Sequence, residues 1–133
     1  MQNLFRILVV VSALLLVVGW FLPHYEYMWS TDDELRLLRY NYWGAKLPNI
    51  PWLYWGELFV WLVTFTGLFF YKTWARSALV FIFFSSLGLS MFTGLSVASP
   101  TSNFIGTIFF TAIGVNFSII YLTSIANKFE KHT

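Results

Sequence analysis

The sequence predicts an all-α integral membrane protein, in which four antiparallel transmembrane helices are accompanied by a short amphipathic helix in the first extracytoplasmic loop. Composition is the first observation behind this fold class: the chain of 133 residues is 58% hydrophobic and only 11% charged, whereas soluble domains carry about 25% charged residues. The second is the grouping of apolar residues into four long stretches, and the third is a helical pattern in the loop after the first stretch. We expect a single membrane domain over residues 1–133.

Each apolar stretch has about the length that a helix needs to cross a bilayer. A hydrocarbon core of about 30 Å takes roughly 20 residues at about 1.5 Å of rise per residue. The predicted spans cover residues 4–22, 52–71, 78–97 and 104–125. Bulky residues follow the first span where a signal-peptide cleavage site would need small ones, so we expect this span to stay in the membrane.

Lysine and arginine are unevenly shared between the two sides that four spans define. The side of the termini carries five of them: Arg6, Lys72, Arg76, Lys128 and Lys131. The opposite side, with the loop of residues 24–51, carries three: Arg36, Arg39 and Lys46. Because cytoplasmic loops are enriched in these cations, we expect both termini in the cytoplasm and the chain in the plasma membrane, the inner membrane of a bacterium.

The loop of residues 24–51 contains the signal of a helix start. Thr31 and Glu34 stand three residues apart, as in a capping box, where each side chain accepts the backbone amide of the other residue. Apolar residues then recur at spacings of three and four, and Gly44 suits the end of a helix. The pattern predicts an amphipathic helix over residues 32–43 on the outer membrane surface.

Acids and aromatic residues concentrate in this loop helix, which makes it the predicted partner-binding surface. Tyr and Trp dominate binding hot spots, although the same rings also anchor proteins at membrane interfaces. The alternative is that the helix only covers the outer end of the bundle. The residues predicted to bind a partner are Asp32, Asp33, Tyr40, Tyr42 and Trp43.

Small residues predict which helix faces pack together, because close backbone approach, rather than burial of Leu, drives helix association in lipid. The third span carries a row of Ser86, Ser90 and Gly94, and the fourth a row of Thr107, Thr111, Gly114 and Ser118. We expect these two rows to face each other, since a short turn joins the two spans. The first span has few small residues and is expected at the periphery of the bundle, where it faces lipid or a membrane partner.

Two polar side chains lie within the predicted spans and need partners there. Glu57 is near the outer boundary of the second span. It is either a hydrated carboxylate near a helix N-terminus or a coupling group for protons or cations, with cationic partners from the overlying loop. Asn116 is near the middle of the fourth span, where an amide finds no water. We expect it to form a hydrogen bond to another helix, or alternatively to bind a ligand.

The side chains that usually carry catalysis or bind cofactors are sparse. The sequence contains no cysteine, which removes thiolate chemistry and Cys-ligated metals. His24 and His132 fall on opposite sides of the membrane in the predicted topology. The sequence shows no phosphate-binding loop, HExxH or GxSxG motif, and its net charge of +2 has no basic cluster for nucleic acid. We expect no enzymatic activity, no cofactor, no metal site and no nucleic-acid partner.

These patterns favour a non-enzymatic binding protein, either an accessory subunit or an immunity-type factor, that engages a partner in or just outside the membrane through its outer loop. In size and number of spans, the chain is similar to immunity proteins of bacterial inner membranes. The expected partners are the lipid bilayer, a membrane or extracytoplasmic protein and a second copy of the chain. The alternative function is a small oligomeric transporter or channel that uses Glu57 as its coupling carboxylate.

Overall fold

The structure, a computed structural model, describes residues 1–40, 44–45, 51–93 and 96–130. Its helices in chain order are α1 (Gln2–Tyr25), α2 (Asp32–Leu38), α3 (Pro51–Phe69), α4 (Thr73–Ser90), α5 (Pro100–Leu122) and α6 (Ala126–Glu130), and a 3₁₀ turn covers Glu26–Met28. Four of them, α1, α3, α4 and α5, are long and apolar enough to cross a membrane. The prediction of a helical protein with four candidate membrane spans is therefore confirmed.

α1 continues to Tyr25, past the predicted end of the first span, and contains Pro23 in its last turn. Proline has no amide hydrogen, and its ring crowds the carbonyl four residues earlier, which here belongs to Gly19. The 3₁₀ turn begins directly after Tyr25. The proline therefore loosens α1 at the place where the chain leaves the helix.

α4 begins and ends earlier than the predicted third span of residues 78–97. The chain enters it through Tyr71, whose φ of 56° is left-handed, and through Lys72 at the N-cap. This tight turn lets residues 73–76 form the first turn of the helix although they precede the apolar stretch. At the other end, the Ser90 and Thr93 hydroxyls donate to the carbonyls three residues before them. Apolar residues locate a span, whereas local turns decide where its helix ends.

α1 lies in the middle of the packing, so the expected peripheral position of the first span is wrong. It packs along both α5 and α3, and α3 packs in turn on α4. The buried stripe of α1 consists of Phe5, Val9, Ser12 and Leu16. A Cβ atom on Gly19 would lie 3.4 Å from Ile105 of α5. Two small residues seven positions apart, Ser12 and Gly19, thus share the face of α1 that approaches α5.

Aromatic rings and one glycine define the packing around α3. Trp61 contacts Phe65 within α3 and meets Phe109 of α5 edge-on, each at a centroid distance of 5.7 Å. A Cβ atom on Gly67 would lie 2.7 Å from the Trp74 ring, which is closer than carbon atoms approach without repulsion. Gly67 therefore permits the close approach of α3 and α4.

α4 and α5 meet through large side chains, and the described members of the two predicted rows of small residues do not face each other. Phe83 of α4 contacts Phe110 and Phe117 of α5 at centroid distances of 6.4 and 5.6 Å, and rings of this size hold the two backbones apart. The α5 row of Thr107, Thr111, Gly114 and Ser118 is exposed, and its hydroxyls donate to carbonyls of their own helix. In the α4 row, Ser86 donates to Glu57, Ser90 donates to Leu87, and Gly94 lies outside the described residues.

Candidate functional site

Asn116 connects α5 to α1 inside the bundle. It is 0% exposed, and its Nδ2 donates to Ser12 Oγ over 2.8 Å. Ser12 Oγ donates in turn to the Leu8 carbonyl over 2.8 Å, so the hydroxyl is both acceptor and donor. The hydrogen bond to another helix expected for Asn116 is therefore present. Asn116 Oδ1 has no hydrogen-bond partner among the described groups.

Glu57 connects α3 to α4 through a second polar contact. The carboxylate is half-buried, and Oε1 accepts a hydrogen bond from Ser86 Oγ over 2.6 Å. Cationic partners from the loop were expected only if Glu57 is a coupling group, and one of them, Lys46, lies outside the described residues. A hydrogen bond from a hydroxyl on the neighbouring helix is compatible with a structural role for Glu57. It is also compatible with a carboxylate that binds and releases a proton.

Among the carboxylates whose side chains the structure describes, the most buried is one that no sequence pattern indicated. Glu26, in the 3₁₀ turn after α1, is only 3% exposed. It accepts hydrogen bonds from the hydroxyls of Ser99 and, over 2.6 Å, Ser102. Ser99 is also the N-cap of α5 and accepts the Ser102 amide over 3.0 Å. The carboxylate therefore lies at the positive end of a 23-residue helix, where a negative charge is stabilised.

The sequence indicates only the α5 half of the contact between Glu26 and the two serines. Ser99 followed by Pro100 and then by an apolar run is typical of a helix start, because serine caps the first turn and proline suits its first position. Nothing in the spacing of Glu26 relates it to a residue more than seventy positions later. The contact depends on α1 and α5 being neighbours, whereas the rows of small residues predicted that α5 packs on α4.

Three of the residues predicted to bind a partner, Asp32, Asp33 and Tyr40, lie on a described part of the chain that has no buried residue. α2 begins with the predicted capping box: Glu34 N–H donates to Thr31 Oγ1 over 3.4 Å, and Thr31 N–H donates to Glu34 Oε2 over 2.8 Å. The helix ends at Leu38 rather than at the predicted residue 43, and it has no buried residue. Asp32, Asp33 and Tyr40 are exposed, whereas Tyr42 and Trp43 lie outside the described residues.

Three buried rings close the other end of the bundle. Phe5, Tyr71 and Phe129 contact one another at centroid distances of 5.6 to 6.1 Å, and we name this cluster the aromatic end. Phe129 belongs to α6, which follows a break at Thr123, the C-cap of α5. The sequence predicted no helix after the fourth span, because the segment is too short to show a helical period.

Two guanidinium groups flank the aromatic end. Arg6 lies 5.2 Å from the ring centre of Phe69 and 5.2 Å from that of Tyr71. The other group, on Arg76, lies 4.9 Å from the ring centre of Tyr121 and 5.6 Å from that of Phe129. Such stacking is favourable and holds each planar group in one orientation.

Comparisons with known proteins add no assignment to this geometry. No protein-family model matches the chain, and neither a curated protein nor a solved structure matches it. Across the described ranges, no three His, Asp or Glu side chains are grouped so that they could hold a metal ion.

Proposed function

We propose that the chain is a non-enzymatic binding protein of the bacterial plasma membrane, an accessory subunit or immunity-type factor that holds a partner through the loop containing α2. In this proposal α1, α3, α4 and α5 are antiparallel spans, both termini are cytoplasmic, and α2 lies outside the cytoplasm. The observation that carries it is α2 itself: a capped helix with three acidic residues in its first turn and no buried residue.

A seven-residue helix without a buried residue is marginal, because isolated helices in water need about 12 to 15 residues. Its capping box supplies only about 1 kcal/mol. Leu37 within α2 and Tyr40 just after it are 60% and 56% exposed. Both apolar and polar contact area is therefore available to a partner. Docking on a partner protein would supply the contacts that α2 lacks within the chain.

Site-specific photocrosslinking in native membranes tests this proposal. A photoreactive amino acid at Tyr40 should give one discrete crosslinked species, identified by mass spectrometry, in the organism that carries the gene. The same group at Leu122, which is 82% exposed near the aromatic end, is the matched control and should not capture that species.

The combined replacement of Asp32 and Asp33 by alanine should reduce capture by the Tyr40 probe at least about tenfold, since two acids at the contact are removed. Capture that survives both this replacement and a Gly/Ser substitution of residues 32–38 would contradict the proposal. Crosslinks to lipid alone would do so as well, because α2 would then only rest on the membrane surface.

A second candidate function, a small oligomeric transporter, is favoured by the Glu57–Ser86 hydrogen bond. A carboxylate that is half-buried within a span can bind and release a proton. Under this alternative, Glu57→Gln abolishes proton uptake into proteoliposomes, measured with an enclosed pH-sensitive dye. Ser86→Ala keeps the carboxylate and should retain uptake, whereas a wild-type chain that moves no protons would exclude this version of the function.

A further inference from the structure

An open groove runs along α4 beside the last turns of α5. It encloses about 670 Å³ and is lined by Ser77, Val80, Phe81, Phe84, Ser85 and Tyr121. From Ser77 to Ser85 it extends about 12 Å along the helix axis. Phe81 and Phe84 are 74% and 63% exposed. Because α4 is one of the candidate spans, this groove would face hydrocarbon chains in a bilayer.

One end of the groove is cationic. Arg76 precedes Ser77, and its guanidinium lies 4.9 Å from the ring centre of Tyr121, which lines the groove. Lys72, the N-cap of α4, precedes Arg76 by four residues and is exposed. No carboxylate with a described side chain forms an ion pair with Arg76. The Arg76 guanidinium contacts the rings of Tyr121 and Phe129, and the Arg76 carbonyl accepts a hydrogen bond from the Tyr121 hydroxyl.

We propose that this groove binds one anionic phospholipid. The phosphate is bound by Arg76, and an acyl chain lies along the apolar lining between Val80 and Phe84. A guanidinium matches the oxygens of a phosphate with two parallel N–H donors, and its contact with the Tyr121 ring holds it at the end of the groove. The attraction of Lys72 adds to the binding at low salt.

The α5 side of the groove also leaves room for a chain. Ser118 and Gly114 continue the face of Tyr121 at spacings of three and four, and both are exposed. A Cβ atom on Gly114 would meet nothing within 4 Å. Neither residue lines the groove itself, but neither adds a bulky side chain where an acyl chain would continue along α5.

A second copy of the chain fits this groove less well than a lipid does. Two copies joined symmetrically through the same face would bring their Arg76 and Lys72 side chains to the same membrane depth. Four like charges would then approach one another at the membrane surface, which is unfavourable. An anionic headgroup neutralises the same charges. The site is also distant from α2, so its test is independent of the proposed partner-binding function.

Native mass spectrometry of the full chain, released from detergent, tests the lipid site. The probes are phosphatidylglycerol and phosphatidylcholine with identical acyl chains, each titrated separately. The wild type should retain one phosphatidylglycerol molecule about tenfold more tightly than phosphatidylcholine, as expected for a charge-assisted hydrogen-bonded pair. Arg76→Gln should abolish this preference. Arg6→Gln, which removes the other ring-stacked guanidinium at the same end, is the matched control and should preserve it.

A second variant tests the acyl-chain part without touching the charge. Ser85→Phe fills the groove and should lower the retention of both lipids, while circular dichroism shows the helical content unchanged. Equal retention of the two lipids by the wild type would overturn the proposal, as would equal losses from Arg6→Gln and Arg76→Gln. Displacement by millimolar inorganic phosphate without any effect of Ser85→Phe would assign a free-phosphate site instead. A dimer abolished by Ser85→Phe would assign the groove to a second copy.

Discussion

Ser12 and Asn116 show what a single polar residue does inside this bundle. Ser12→Ala removes the acceptor of the Asn116 amide and leaves that N–H group buried without a partner. We expect a loss of about 1 kcal/mol in stability, measured as a lower melting temperature in detergent. Ser118→Ala is the matched control, because Ser118 is exposed and donates only to a carbonyl of its own helix.

The partner substitution shows whether the loss comes from the unpaired amide. Combining Ser12→Ala with Asn116→Leu removes both polar groups, and replacing both partners by apolar groups can be nearly neutral. The double variant should therefore melt above Ser12→Ala alone. If Ser12→Ala and Ser118→Ala melted at the same temperature, the hydrogen bond would contribute nothing to stability.

Glu26 joins the end of α1 to the first turn of α5. Glu26→Ala removes the acceptor for Ser99 and Ser102, and a hydrogen bond to a charged group contributes about 1.5 to 3 kcal/mol. We expect faster hydrogen exchange in residues 96–103, measured by mass spectrometry, with a loss of about 2 kcal/mol in stability.

Glu34→Ala is the control for this replacement, since Glu34 caps α2 within its own segment. It should speed hydrogen exchange in residues 31–38 and leave residues 96–103 unchanged. Unchanged exchange at residues 96–103 in Glu26→Ala would mean that Ser99 alone holds the start of α5.

Sequence patterns located single residues well where the reason was local. Asn116 needs a partner because an amide in an apolar span has no water, and the capping box of Thr31 and Glu34 depends on a spacing of three. Glu57 was recognised as a polar group in a span, yet its partner Ser86 was assigned to a different interface. The partner of a side chain depends on which helices are neighbours, which the residue itself does not reveal.

At the scale of elements, the contact of α3 with α4 depends on Gly67. Gly67→Ala places a methyl group 2.7 Å from the Trp74 ring and 2.8 Å from Ala75 Cβ, so the two helices must separate. Overpacking of this kind costs about 1 to 3 kcal/mol, which should appear as a lower melting temperature in detergent. Gly56→Ala is the control on the same helix, because a Cβ atom there meets nothing within 4 Å.

The control should be neutral or slightly stabilising, since alanine favours a helix more than glycine does. Equal melting temperatures for the two variants would show that Trp74 moves aside at little cost. A loss confined to Gly67→Ala would instead confirm that α3 and α4 are held at their present distance by the absence of one side chain.

The existence of the four long helices follows from apolar stretches of the right length, but their ends do not. α4 starts at Thr73 because Tyr71 and Lys72 form a tight turn, whereas the apolar stretch begins later. α6 and its buried Phe129 escaped prediction because five residues are too few to show a helical period. Short elements and helix ends are decided by tertiary contacts.

At the scale of the whole molecule, the order of packing was the part that could not be predicted. The small residues of α4 and α5 indicated that these helices approach closely, but they are joined by Phe83 and its partner rings instead. α1 became central because Ser12 and Gly19 share one face and suffice for close contact with α5. A row of small residues shows that close approach is possible, not which neighbour uses it.

Phe129 stabilises the molecule as a whole, because its ring joins α6 to two other segments. Its ring is 0% exposed and contacts Phe5 of α1 and Tyr71 of the turn after α3. Phe129→Ala leaves a cavity among these rings, and a buried Phe→Ala replacement costs about 3 kcal/mol or more. We expect a large fall in the melting temperature in detergent, together with faster proteolysis at both termini.

Phe104→Ala is the control, since Phe104 is 65% exposed on a candidate span. Lipid or detergent surrounds such a ring with hydrocarbon whether the protein is folded or not, so its removal should cost little. Both replacements change a phenylalanine to alanine. The difference between their melting temperatures therefore measures the contribution of packing within the protein. If both variants melted alike, the aromatic end would be a loose cluster and the three segments would be held together by the bundle alone.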